Sequence, residues 1–272
     1  MSSTRERQTE LFRELHRGGD ILVLPNAWDV ASARLFELAG ARAIGTTSAG
    51  VAWSLGYPDG QRLEHALLVE TVGRIIAAVS VPVTVDLEAG YGATPSEVCD
   101  TVEAVVGVGA VGINLEDRME DPRILVEKIA ALRQRGATSR VFVNARTDAY
   151  LRPIATGAAR FEDTVRRLDA YAGAGADSLF VPGLADLDEI ARLVRAVRRP
   201  LNVYAGPGVP PVRELARAGV ARVSVGCGPM QATLALTRRI AEELFREGTY
   251  TAFTSEALAW TEANQLFTKG TT

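Results

Sequence analysis

The stretch Val81–Glu97, VPVTVDLEAGYGATPSE, decides the fold. A run of β-branched residues ends in two carboxylates, Asp86 and Glu88, and then dissolves into Gly90, Tyr91 and Gly92. Thr94 and Pro95 follow, with Glu97 in the next turn, which is a helix start. The unit is an apolar strand, a polar turn and a helix.

The same unit recurs along the chain. Strand-like runs begin at Ile21 (ILVLPNA), Ala41 (ARAIGTTS), Val81 (VPVTVDLE), Val111 (VGINLED) and Val141 (VFVNART). Three more begin at Ser178 (SLFVPG), Leu201 (LNVYAG) and Ala221 (ARVSVG). Helical spacing follows from Val30, ending at Gly40, and from Thr94, Phe161 and Leu187. Eight apolar strands alternating with helices predict an α/β fold, a closed parallel (β/α)8 barrel of the TIM type. A doubly wound open sheet is the alternative. Residues 1–272 read as one domain, with 237–272 as an extra C-terminal helical arm suited to packing on a partner subunit.

Composition narrows the function. The chain has 272 residues, 47% hydrophobic and 23% charged, an ordinary globular profile. A formal charge of −3 argues against a nucleic-acid or anionic-membrane partner. No run approaches the roughly 18 apolar residues of a membrane helix. The charged start, MSSTRERQTELFREL, lacks the apolar core of a signal peptide. With two distant cysteines, Cys99 and Cys227, a reduced cytoplasmic protein is expected. His16, His65, Lys128 and Lys269 are the only histidines and lysines, and none is placed for zinc or Schiff-base chemistry. Carboxylates, arginine, backbone amides and a hard metal ion remain.

A parallel barrel works at the C-terminal ends of its strands. Those ends carry Thr47, Ser48, Ala49 and Gly50; Asp86 and Glu88; Asn114, Glu116 and Asp117; and Asn144, Arg146 and Asp148. Asn202, in strand seven, joins the candidate substrate residues. Residues two apart on a strand share a face, so Asp86 and Glu88 are expected to point together. Asp86, Glu88 and Glu116 on one rim repel unless a cation sits among them, and oxygen donors suit Mg2+ or Mn2+. Arg146 is suited to grip a carboxylate through two hydrogen bonds, or to pair with these acids. Asp117 and Asp148 also fit helix caps or solvated charges. Cys227 has no histidine near it in sequence to activate it. The glycine-rich turns from Tyr204 (YAGPGVPP) and Val225 (VGCGPMQ) stand where barrels bind phosphate.

Four pieces together resemble the isocitrate lyase/phosphoenolpyruvate mutase superfamily. They are LPNAWDVASARLFELAGARAIGTTSAGVAWSLGYPDG from Leu24, VDLEAGYG from Val85, GINLEDR from Gly112 and NARTDAYL from Asn144. The resemblance implies a barrel binding Mg2+ and a 2-oxo acid or its enolate. It implies Asp86 as metal ligand, with Glu88 and Glu116 holding the ion directly or through water. It places Ser48 and the amides of Ala49 and Gly50 on the substrate carboxylate. Arg146 matches the substrate arginine and Asp59, in GYPDG, a mobile acid at the reacting group. It also implies a C-terminal helix exchanged between subunits, in a homodimer or homotetramer.

Two departures shape the expected reaction. The lyases carry a Lys-Cys-Gly-His loop where this chain reads EDRMEDPRILVEK from Glu116, and a glutamate where it has Pro182 and Gly183. The mutase loop, with its lysine and Asn-Ser, is absent too. The expectation is a Mg2+-dependent carbon–carbon lyase or decarboxylase. Its substrates would be small 2-oxo or 2-hydroxy di- or tricarboxylates, passing through a metal-stabilised enolate. Asp59, Arg146 and Glu116 would be catalytic, with Tyr57 and Tyr91 as further proton carriers. The alternatives are a phosphonomutase-type P–C bond enzyme and a 2-oxo-acid-binding protein with little turnover.

Overall fold

The structure, a computed structural model, describes residues 4–17, 19–152 and 154–268; Lys269 and the extreme ends of the 1–272 assignment lie outside them. A helix, α1 (Thr4–Leu15), precedes the strands. Nine strands follow: β1 (Leu22–Leu24), β2 (Asn26–Ala27), β3 (Ile44–Thr46), β4 (Val83–Asp86), β5 (Gly112–Glu116), β6 (Phe142–Arg146), β7 (Ser178–Val181), β8 (Leu201–Tyr204) and β9 (Arg222–Ser224). All pair in parallel, in the order β1-β9-β8-β7-β6-β5-β4-β3-β2.

Eight strands were expected and nine occur because Pro25 splits the first. Proline has no N–H to give a ladder. The Pro25 carbonyl still accepts from Gly45 N at 2.9 Å. β1 pairs with β9 and β2 with β3, so one stretch of chain joins the two sheet edges and closes the barrel. Asn26 bridges the break. Its Oδ1 accepts from Val225 N (3.0 Å) and Gly226 N (2.9 Å), and its Nδ2 donates to the Thr46 carbonyl (2.8 Å). A Cβ at Gly45 would stand 2.7 Å from Asn26 Nδ2, which explains that glycine.

The helices between strands are α2 (Val30–Leu38), α3 (Ser48–Ser54), α4 (His65–Ala78), α5 (Pro95–Gly107), α6 (Pro122–Gln134), α7 (Gly157–Ala174), α8 (Leu187–Ala196) and α9 (Val212–Arg217). α5 starts as its sequence dictates. Thr94 caps Glu97 N, and Glu97 returns bonds to the amides of Ala93 and Thr94. α2 ends at Leu38, and Gly40 takes a φ of +95° past it. Outward strand residues such as Val85, Ile113, Leu115, Val143, Leu179 and Val203 are fully buried in the core cluster that holds the helices' apolar faces.

The barrel interior is unlike that shell. Phe12 and Leu15 of the first helix join Leu22, Leu24, Val111 and Phe142 in a plug at the strands' N-terminal ends. Above it the inward residues are polar: Thr84, Asn114, Asn144, Ser178, Asn202, Arg222 and Ser224 are all buried. Ser178 Oγ donates to Asn144 Oδ1 (2.6 Å) and Asn144 Nδ2 to Asn114 Oδ1 (2.9 Å). Most barrels fill these layers with branched apolar side chains.

α10 (Gly228–Arg246) begins directly after β9 and runs unbroken through Thr237, so the expected arm boundary falls inside a helix. α11 (Thr251–Thr254) and α12 (Trp260–Gln265) complete the tail. Among the described residues no helix is long and apolar enough to cross a membrane.

Candidate active site

A cavity of about 290 Å3 opens at the C-terminal ends of the strands. Thr47, Ser48 and Ala49 supply one wall, Asp86, Asn114 and Arg146 the floor and far side, and Asp59 the rim. A larger depression of about 720 Å3 near Arg34 and Phe267 carries no carboxylate, so the chemistry belongs to the smaller one.

Each wall residue has a local cause. Thr47 ends the third strand segment and caps α3, so the amides of Ser48, Ala49 and Gly50 form that helix's first turn. Ser48 N donates to Asp86 Oδ2 at 3.3 Å. Asp86 closes β4, and its own amide donates to Thr46 Oγ1 (3.0 Å). The other oxygen, Asp86 Oδ1, is buried and has no partner. Buried acceptors are normally satisfied, so this oxygen awaits a water, an ion or a ligand.

Arg146 is held from both sides. Its Nη1 meets Glu116 Oε2 at 3.1 Å and its Nε meets Asp148 Oδ1 at 2.7 Å. Its guanidinium carbon lies 5.8 Å from the centre of the Phe180 ring. The arginine is thus both the cavity's cation and an ion-pair partner of two acids. Asp148 and Asp117 are neither caps nor solvated charges. Both are buried, and Asp117 accepts from Tyr171 Oη (2.7 Å), Arg167 Nη1 (3.2 Å) and the amides of Met119 (2.9 Å) and Asp148 (3.2 Å).

Glu88 and Glu116 do not themselves line the cavity, and Glu88 is not placed by strand alternation. β4 ends at Asp86, and Glu88 adopts a left-handed φ of +51°. Its Oε1 accepts from Gln61 N (2.9 Å) and Tyr91 Oη (3.3 Å). Burial, then the charge of Asp86, pushes its carboxyl up to about 7. Glu116 is likewise pushed up to about 7, by burial first; Arg146 opposes this, while Asp86, Asp148 and Glu88 add to it. Too many acids share too little water.

Asn202 does not line the cavity. Its side chain is fully buried below the cavity, with Oδ1 accepting from Ser224 Oγ (3.1 Å), and Tyr204 forms the wall at that strand instead. Sequence reading also passed over Asn26, Ser224, Gly226 and Phe180, which line the cavity. Counting alternate residues along LNVYAG, ARVSVG and SLFVPG would have found Tyr204, Ser224 and Phe180. Nothing local marked Arg222, which is fully buried with Nη1 and Nη2 unpartnered and only Nε bonded, to Ser224 Oγ (3.0 Å).

The donor set fits a hard divalent cation. It consists of oxygens, one of them buried without a partner, near two carboxyls, Glu88 and Glu116, that burial and neighbouring acids push up to about 7. Among the described residues no three His, Cys, Asp or Glu side chains stand close enough to enclose an ion by themselves. Mg2+ commonly keeps several waters, so one or two protein carboxylates are enough.

A parallel barrel with acids, an arginine and the first turn of a helix at one mouth is an enzyme's active-site arrangement. The chain belongs to the phosphoenolpyruvate phosphomutase family, whose model matches residues 12–245, within the isocitrate lyase/phosphoenolpyruvate mutase superfamily. It is 41% identical over 228 residues to the uncharacterized protein Rv1998c of Mycobacterium tuberculosis, covering 82% of this chain and 84% of that one. It is 30% identical over 261 residues to 2-methylisocitrate lyase of Aeropyrum pernix, covering 90% and 82%. A Burkholderia cenocepacia crystal structure, described provisionally as a lyase/mutase, superposes with a TM-score of 0.90 at 37% identity, over 98% of each chain.

Proposed function

We propose that this chain is a Mg2+-dependent carbon–carbon lyase of small 2-oxo dicarboxylates, with decarboxylation as its simplest reaction. One observation carries the reading. Asp86 with its unpartnered oxygen, Arg146, and Ser48 and Ala49 of the turn after β3 all line one cavity. The first suits a cation, and the other two suit the carboxylate of a 2-oxo acid.

Asp86 would hold the ion, with Glu88 and Glu116 reaching it directly or through water. When bound, a divalent ion supplies positive charge beside the oxygen that gains electrons. Arg146, the Ser48 hydroxyl and the Ala49 amide would fix the substrate's carboxylate end, since the Ser48 and Gly50 amides already donate to Asp86 Oδ2 and Thr47 Oγ1. In decarboxylation the C3–C4 bond breaks, CO2 leaves, and its electron pair moves toward the C2 oxygen. A proton must then return to C3. Glu116 is committed to Arg146, and Tyr91 to Glu88. Asp59, on the cavity rim and otherwise exposed, is the acid left to deliver that proton.

The test compares Asp86→Ala with Asp59→Asn. With Mg2+ present, Asp86→Ala should lose oxalate binding in calorimetry. Asp59→Asn should keep oxalate binding and slow steady-state pyruvate formation from oxaloacetate by about 100-fold or more. Wild-type protein that takes up oxalate but releases no CO2 from any C4 to C6 2-oxo diacid would make it a binder, not a lyase.

The tail supports a homodimer or homotetramer. Phe245 and Trp260 are 89% and 78% exposed, and Leu244, Phe253 and Leu258 are also uncovered. An apolar set of this size is a docking face, here for a second copy of the chain. Sedimentation of Trp260→Asp beside wild type checks it: the wild type should be oligomeric and the variant smaller.

A further inference from the structure

The cavity wall offers one cation, Arg146, which is enough for a single carboxylate. A dicarboxylate needs a second. We propose that Arg118, backed by Lys128, receives the far carboxylate, and so selects diacids over 2-oxo monoacids; this rests on the 2-oxo-acid reading above.

The placement of Arg118 is built with some care. The turn after β5 puts two consecutive non-glycine residues, Arg118 and Met119, in the left-handed region, at φ +50° and +61°. L-residues avoid that region, so the surroundings must hold it. They do, through Asp117. That buried carboxylate fastens the turn with the four hydrogen bonds described above, and Arg167 Nη1 adds another to the Glu120 carbonyl (2.8 Å). The anchor fixes the backbone on either side of Arg118 without engaging its side chain.

The side chain faces the acids. Arg118 Nε stands 3.6 Å from Glu116 Oε1, a loose ion pair, while Arg146 takes the other oxygen of Glu116 at 3.1 Å. Glu116 therefore separates two arginines, Arg146 lining the cavity and Arg118 lining a neighbouring depression. A ligand held at one end by Arg146 and long enough to pass Glu116 would bring its second carboxylate to Arg118. Arg118 also opens on a depression of about 410 Å3 shared with Lys128, Gln61, Ala89 and Glu120. Lys128 Nζ donates to the Ala89 carbonyl at 2.9 Å, which fixes a second positive charge there. Glu120 offsets part of that charge, which leaves room for one carboxylate and argues against a polyanion.

Arg152 is another cation beside the acids of the mouth. It is more than half exposed, and its Nε sits 3.8 Å from Asp148 Oδ2. It serves as the control for a charge that is merely close to the mouth.

The experiment measures affinities by calorimetry at saturating Mg2+ for oxalate, pyruvate and 3,3-difluorooxaloacetate. The first two lack the far carboxylate and the third has it. Wild type should bind the diacid at least tenfold more tightly than pyruvate. Arg118→Gln should bring that ratio close to one, Arg118→Lys should keep part of it, and Arg152→Gln should keep all of it. A ratio that survives Arg118→Gln, or one that Arg152→Gln erases equally, overturns the proposal. So does an equal weakening of all three ligands, which would make Arg118 a partner of Glu116 only. Wild type that fails to bind oxalate would instead remove the 2-oxo-acid reading, and this proposal with it.

Discussion

Glu116 and Arg146 are register partners on neighbouring strands, and their side chains meet at 3.1 Å. The pairing is a consequence of parallel register: each closes its strand at the same level of the barrel. Burial works against the charge of Arg146, but Glu116, Asp148 and Asp86 outweigh it and push its pKa up. The same attraction helps Glu116 less, because that residue also faces three other acids.

Removing Arg146 should therefore cost stability as well as binding. Arg146→Met removes the short ion pairs of Glu116 and Asp148 and leaves them only the looser ones to Arg118 (3.6 Å) and Arg152 (3.8 Å); a buried pair broken on one side costs roughly 3–5 kcal/mol. Urea unfolding at pH 7 should show that loss, and the double variant Glu116→Gln/Arg146→Met should recover part of it. Arg146→Lys should fold better than Arg146→Met yet still bind oxalate weakly, since an ammonium cannot make two parallel bonds. An unfolding midpoint unchanged in Arg146→Met would mean that the pair does not hold the mouth together.

Asn26 should matter more to stability than its place in a two-residue strand suggests. Its three side-chain hydrogen bonds carry the ladder across the Pro25 break. At about 1 kcal/mol each, Asn26→Ala should cost about 3 kcal/mol. The denaturant midpoint should fall while the slope stays constant. Gly45→Ala should also destabilise, because its Cβ would press on Asn26 Nδ2. Wild-type stability in both variants would mean that the break needs no bridge.

His16 gives the protein an acid-sensitive plug. It packs among the rings of Phe12 and Phe142, with Nδ1 bonded to the Phe12 carbonyl at 2.8 Å. Burial, then the nearby Arg222 charge, pushes its pKa down to about 3, and the Phe12 carbonyl opposes this only partly. The folded state therefore keeps His16 neutral while the unfolded chain protonates it below about 6.5. The stability it contributes is present above pH 6.5 and is lost as pH falls toward 3. The slope is at most about 1.4 kcal/mol per pH unit. Thermal unfolding from pH 4 to 8 should fall more steeply on the acid side in wild type than in His16→Gln. Parallel acid limbs would show that another group sets them.

Much of the fold was legible because its signals are local. The Thr94–Pro95–Glu97 helix start, the Gly40 stop and the alternation of apolar strands with helices each depend on a few adjacent residues. Asp86, Arg146, Ser48 and Ala49 could be nominated because strand ends and the turns after them face one mouth in a parallel barrel, whereas Asp59 was nominated only through the family resemblance. Glu88 was nominated for a reason the backbone does not support, since it turns left-handed where a strand was expected to continue.

The sequence by itself determined the (β/α)8 plan, the polar chemistry of the strand ends and the loss of the lyase and mutase loops. Tertiary structure alone decided depth and partnership. It sank Asn202 beneath the cavity, made Asp117 an anchor and not a surface charge, set Arg118 against Glu116, and left Asp86 Oδ1 and two Arg222 nitrogens unpartnered. The physical reason is range. Alternation along one strand tells which way a side chain points. How deep it lies and what it meets depend on register between strands far apart in the chain, and no local pattern encodes that.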